Sequence, residues 1–100
     1  MVGNMKEDIE LYNGLVEDFS NLDSSDYTTA YALSQLALSL ADRWNEIMLN
    51  SVKYSKDMEY TKTEFTTYCY QKYKILMKIH EMSRMVWKQG EENQRKGQNV

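Results

Sequence analysis

Apolar residues recur at helical spacing along most of the chain. Met5, Ile9, Tyr12, Val16 and Phe19 are separated by alternating steps of four and three, Leu11 and Leu15 widen the stripe, and Glu7, Asp8, Glu10, Glu17 and Asp18 occupy the other face. Such spacing puts the apolar side chains on one side of a helix, so it predicts a short amphipathic helix over about residues 5–19. Asn4 is the expected cap, and the acids of the first turn suit the positive end of the helix dipole. Gly14 lies inside the pattern and costs this helix about 1 kcal/mol relative to alanine.

Asn21-Leu22-Asp23-Ser24-Ser25-Asp26 reads as a connector, because its short polar side chains compete with helical backbone bonds and then cap the helix that follows. From Tyr27 to about Tyr54 the positions Leu33, Leu36, Leu40, Trp44 and Ile47 keep the three-four spacing, with Ala37, Ala41, Met48 and Val52 alongside. The next boundary falls in residues 54–61. There Thr61 and Glu64 have the spacing of a capping box, and Tyr60 and Phe65 that of a hydrophobic staple. A third helix, expected over about 62–89, carries Phe65, Cys69, Lys72, Leu76, Ile79, Ser83 and Val86 on one stripe. Gly90 opens a polar tail, 90–100, which holds too little apolar surface to offset its ordering and is expected to be frayed or disordered, or else to extend the helix with polar residues on all sides.

The stripes of the second and third helices match in phase. With the turn centred near residue 58, Leu40 faces Leu76, Ala37 faces Ile79 and Ile47 faces Cys69. The predicted fold is therefore all-α: one domain over 1–100, a three-helix unit dominated by a long antiparallel, coiled-coil-like hairpin. At 1.5 Å per residue the second helix is about 42 Å long and the first about 23 Å, so the first covers the base of the hairpin, beside 27–43 and 73–89, and leaves the tip half bare. That half holds seven of the twelve aromatics. Exposed apolar surface of this kind marks an interaction site, and Trp44, Tyr54, Tyr60, Phe65 and Tyr68 are the expected contact with a second copy or another protein.

Charge adds an asymmetry that the net value of −3 hides. Residues 1–52 carry two bases and nine acids, residues 53–100 ten bases and six acids. Around the tip, cations mix with tyrosines: Lys53, Lys56, Lys62, Tyr70, Lys72, Lys74 and Lys78. Neutralising phosphates while stacking bases on rings is what single-stranded nucleic-acid binding requires, so a nucleic-acid-binding accessory factor is the alternative reading. The abundance of Lys, Asn and Tyr hints at an AT-rich bacterial or phage genome.

Little in the chain points to chemistry. One cysteine, Cys69, excludes an internal disulfide, and one histidine, His80, leaves too few soft ligands for structural zinc. The residue three before His80 is Met77, so the Glu-x-x-His pattern of di-iron bundles is missing, and Gly3, Gly14, Gly90 and Gly97 are too scattered for a phosphate loop. Asp42 and Glu46, one turn apart, read as a solvated face, and the methionines as core filler. No cofactor, metal or catalytic residue is expected. With no apolar run near the ~18 residues of a membrane span, and none like a signal peptide at Met1–Asp8, a cytoplasmic protein without membrane contact is expected. The expectation for function is a non-enzymatic helical interaction module, a self-associating adaptor or regulatory accessory protein.

Overall fold

A computed structural model of the chain describes residues 5–52 and 60–98. Three helices account for most of them: α1 (Lys6–Ser20), α2 (Tyr27–Leu49) and α3 (Lys62–Gln98). The fold is the all-α hairpin that the spacing predicts, with α2 and α3 packed along each other and α1 laid on one side.

The local signals act as expected at two of the junctions. The Asp23 carboxylate accepts from Ser25 N and Oγ at 2.9 and 2.8 Å, and Asp26 caps α2 by accepting from Thr29 N at 3.1 Å and Thr29 Oγ1 at 2.6 Å. Before α3 the capping box is reciprocal: Glu64 N donates to Thr61 Oγ1 at 3.1 Å, and Thr61 N donates to Glu64 Oε1 at 3.0 Å. The Tyr60 and Phe65 rings meet at 6.5 Å and complete the staple. At α1, by contrast, the cap position is Met5, which offers no side-chain bond, and Asn4 lies outside the described residues.

α2 ends at Leu49; Ser51 and Val52 beyond it are again helical, and the predicted end near 54 lies outside the described residues. Asn50 closes α2, its side-chain amide donating to the Glu46 carbonyl at 2.8 Å and its backbone N–H to the Glu46 and Ile47 carbonyls at 3.1 Å. An asparagine that satisfies last-turn carbonyls in this way stops a helix without Gly or Pro. Residues 60 and 61 are not helical, so α3 starts afresh at Lys62.

The register is close to the predicted one. Gly90 meets Tyr27, Trp87 meets Tyr31, His80 meets Ser34 and Tyr68 meets Trp44, and the midpoints of these pairs fall between residues 56 and 59. Leu33, Ala37, Leu40, Ala41, Trp44 and Ile47 of α2 share a buried core with Phe65, Cys69, Leu76 and Ile79 of α3. Tyr12 and Leu15 of α1 and Met5 at its cap join it.

The tail is helical rather than frayed, the second of the two expected outcomes: α3 stays helical to Gln98 and runs past the start of α2. Pairs one turn apart support the projecting end, with Arg95 3.1 Å from Glu91, Lys96 3.5 Å from Glu92 and Gln89 donating to Asn93 at 3.3 Å. Gly90 is no stop signal but a point of close approach: a Cβ there would collide with Tyr27, 2.7 Å from its Cγ and 2.9 Å from its Cδ1. The result is a rod of 60 × 19 × 18 Å. Charge divides across the rod, because α1, α2 and their connector carry nine acids and two bases whereas α3 carries eight bases and four acids.

Candidate interaction face

The hairpin has two broad sides. On one, α1 runs antiparallel to α2 and is anchored where its apolar stripe meets Trp44. The Tyr12 ring meets the Trp44 indole edge-on at 6.2 Å, and the Tyr68 ring approaches the indole from α3 at 5.9 Å. Lys72 places its ammonium 4.4 Å from the Tyr12 ring centre and 4.9 Å from that of Tyr68, a cation held between two π faces that ties α1 to α3. Arg43 grips the largely buried Asp8 through two bonds, Nε to Oδ1 at 3.0 Å and Nη2 to Oδ2 at 3.2 Å. Burial raises the Tyr12 and Tyr68 phenols above their ordinary values, and it pushes the Cys69 thiol up to about 11. A thiol so raised is a poor nucleophile at neutral pH, in keeping with its seam position.

This arrangement corrects the expected contact surface. Trp44 and Phe65 are fully buried within the chain, and Tyr68 is half-buried against Trp44, so two of the five expected contact residues are closed to a partner. Tyr60 remains exposed, its ring 5.8 Å from Tyr68, and Tyr54 lies outside the described residues. The cover reaches further than helix length alone implies. Met5, which precedes the first turn, is itself buried, and the Tyr12 and Tyr60 rings span the remaining gap.

The other side of the hairpin is different. At about 100° per residue, Tyr31, Leu38, Asp42, Asn45 and Leu49 share one strip of α2, and Tyr70, Tyr73, Met77, Arg84 and Lys88 one strip of α3. Both strips lie away from the residues that meet α1. They are joined across the seam where the Tyr31 and Trp87 rings meet at 4.7 Å and where His80 Nδ1 donates to the Ser34 carbonyl at 2.8 Å. Among the described residues no element covers this face. Leu49 is 75% exposed, Tyr70 49% and Tyr31 44%, and Leu38, Tyr73, Met77 and Trp87 are half-buried. No local signal in the sequence separates it from the covered side, because α2 and α3 are apolar towards both.

The tyrosine-lysine set does not form one patch. Lys72 is held over the Tyr12 and Tyr68 rings on the α1 side, whereas Tyr70, Lys74 and Lys78 share an exposed strip on the outside of α3, with Lys74 Nζ 5.3 Å from the Tyr70 ring centre. Lys62 stands exposed at the start of α3, and Lys53 and Lys56 lie outside the described residues. Asp42 and Glu46 are exposed, and Arg43 comes within 3.8 Å of Glu46. Among the described residues no group of three metal-ligating side chains converges, and no helix is long and apolar enough to cross a membrane.

Comparison of the chain with protein-family models, with curated proteins and with solved structures finds no match.

Proposed function

We propose that the protein is a non-enzymatic helical interaction module that self-associates through the face of the hairpin opposite α1 and serves as an adaptor or regulatory accessory factor. The observation that carries this reading is the strip of Tyr31, Leu38, Leu49, Tyr70 and Met77, which no element covers among the described residues: Leu49 is 75% exposed, Tyr70 49% and Tyr31 44%, with Leu38 and Met77 half-buried beside them. Tyrosine, methionine and leucine at the centre of a patch with charged residues at its rim is the composition of a protein-binding surface. Light scattering over a concentration series tests it. The mass should rise from 11.8 kDa towards twice that value, and Tyr70→Glu should hold the chain at the lower mass. A wild-type chain that stays monomeric at about 100 µM, where association of micromolar strength is nearly complete, defeats the reading.

One observation favours a second reading. Lys74, Lys78, Arg84 and Lys88 are exposed over the outer half of α3, with Glu81 among them and the Tyr70 ring beside Lys74, a net-cationic surface with a ring for stacking. Binding of a short single-stranded oligonucleotide that weakens steeply with salt supports it, and no binding at low salt removes it.

A further inference from the structure

The open face has charged edges of opposite sign. Asp42 lies one turn from both Leu38 and Asn45 on the α2 edge, with Glu46 one turn further, while Lys74 stands in the same relation to Tyr70 and Met77 on the α3 edge, which continues through Glu81, Arg84 and Lys88 and is net basic. Each of these charged side chains is more than a third exposed. Because the hairpin register centres between residues 56 and 59, Asp42 and Lys74 stand at the same height along the rod.

Two hairpins can stack their open faces in two symmetric ways. A two-fold axis across the helices puts α2 on its copy and α3 on its copy, with acids facing acids and bases facing bases. An axis along the helices instead puts α2 of each chain on α3 of the other, so that Asp42 of each chain meets the other's Lys74. Like charges across an interface are penalised and opposite charges set its register. The apolar strip supplies the burial in either arrangement; the edges choose between them.

We infer that two copies pair with their long axes parallel, α2 over the other chain's α3, in a four-helix bundle flanked by the two α1 helices. This inference rests on the self-association proposed above. Its consequence is geometric: both hairpin tips lie at one end, and both helical extensions beyond Gly90 lie at the other. The dimer is thus two-ended, and anything bound at one end is bound by two copies of the same element.

Nitroxide labels at Lys96→Cys, on the exposed extension, read the arrangement directly by pulsed dipolar spectroscopy, with the wild-type chain and its buried Cys69 as the labelling control. Parallel pairing places the labels about 15–35 Å apart, given interaxial spacings of 8–10 Å and the reach of the label arms. Opposed pairing of rods 60 Å long places them beyond about 50 Å, which would overturn the arrangement while leaving self-association standing. Absence of any dipolar signal at every concentration overturns both. Charge exchange supplies the second arm: Asp42→Lys should weaken the dimer by about 3- to 30-fold, two pairs being lost at once, and Asp42→Lys with Lys74→Asp should restore it. A dimer indifferent to Asp42→Lys rules out the proposed pairing.

Discussion

The two sides of the hairpin are built from the same pair of helices at the same spacing, yet one carries α1, which covers it around Trp44 and leaves Leu36, Ile75 and Met82 exposed alongside, and the other carries no element among the described residues. On the α1 side, Trp44 fits between Tyr12 and Tyr68, Lys72 bridges two rings and Arg43 clamps Asp8. On the open side the apolar residues are tyrosines, a methionine and leucines that stand half in water, joined by one ring pair and one histidine bond. Periodicity alone does not tell a side that folds inward from a side kept for a partner. What distinguishes them is whether α1 brings a complementary surface to the site, and α1 is too short to serve both.

The contrast can be broken hardest at its centre. Trp44→Ala should cost about 3–5 kcal/mol in urea unfolding, since a fully buried indole leaves a cavity that three helices cannot close. Its indole N–H is buried without a hydrogen-bond partner, so Trp44→Phe should cost much less than Trp44→Ala.

The α1 side also predicts an alkaline limit. A thiol whose folded value is raised from 9.0 to about 11 keeps its full contribution below pH 9 and loses it as pH climbs through about 11. The raised phenols of Tyr12 and Tyr68 act in the same direction from pH 10 upward. Stability measured against pH should therefore fall beyond pH 9 by on the order of 2 kcal/mol, and Cys69→Ala should remove the first part of that slope. At the acid end the sign reverses. Glu64 is held below its ordinary 4.5 by its bonds to Thr61, and Asp23 below its ordinary 3.8 by its bonds to Ser25. Their contribution is present above those ordinary values and is lost as pH falls through the lowered ones.

Two of the three helical glycines, Gly14 and Gly90, sharpen the comparison further, because what surrounds them differs. Gly90→Ala should destabilise by about 1–3 kcal/mol, since the new Cβ meets the stem of Tyr27 rather than a flexible tip. Gly14→Ala should stabilise by about 0.5–1 kcal/mol, because nothing lies within 4 Å of the added carbon and the helix gains propensity. Smallest of all, Tyr70→Glu on the open face should change the stability of the single chain by no more than about 0.5 kcal/mol while abolishing self-association. A large loss of monomer stability from this change would show that the open face is part of the chain's own core.

Much of the architecture was legible in the residues themselves. The helical spacing identified three helices, the matched stripes of α2 and α3 implied their register, and the Thr61–Glu64 box and Asp26 cap located two helix starts, all of it through interactions within a few residues or through a period that two helices share. The end of α2 was written in Asn50, whose capping role depends on a conformation that its letter does not announce. Whether the tail frays or extends the helix is open in the sequence, because Gly90 is a break in the absence of Tyr27 and a packing requirement in its presence.

Only the tertiary structure decided which side of the hairpin α1 would occupy. Hydrophobic spacing gives each helix an apolar arc, but α2 and α3 have arcs wide enough to face two ways. The choice between them follows from contacts between residues far apart in the chain, Asp8 with Arg43 and Tyr12 with Trp44 and Lys72. Those contacts turned Trp44 from an exposed anchor into the middle of a core, and they left Tyr31, Leu38, Tyr70 and Met77 facing outward. A local period sets how often a helix turns towards its neighbours, and the shape of those neighbours, assembled from distant parts of the chain, determines which turn is filled.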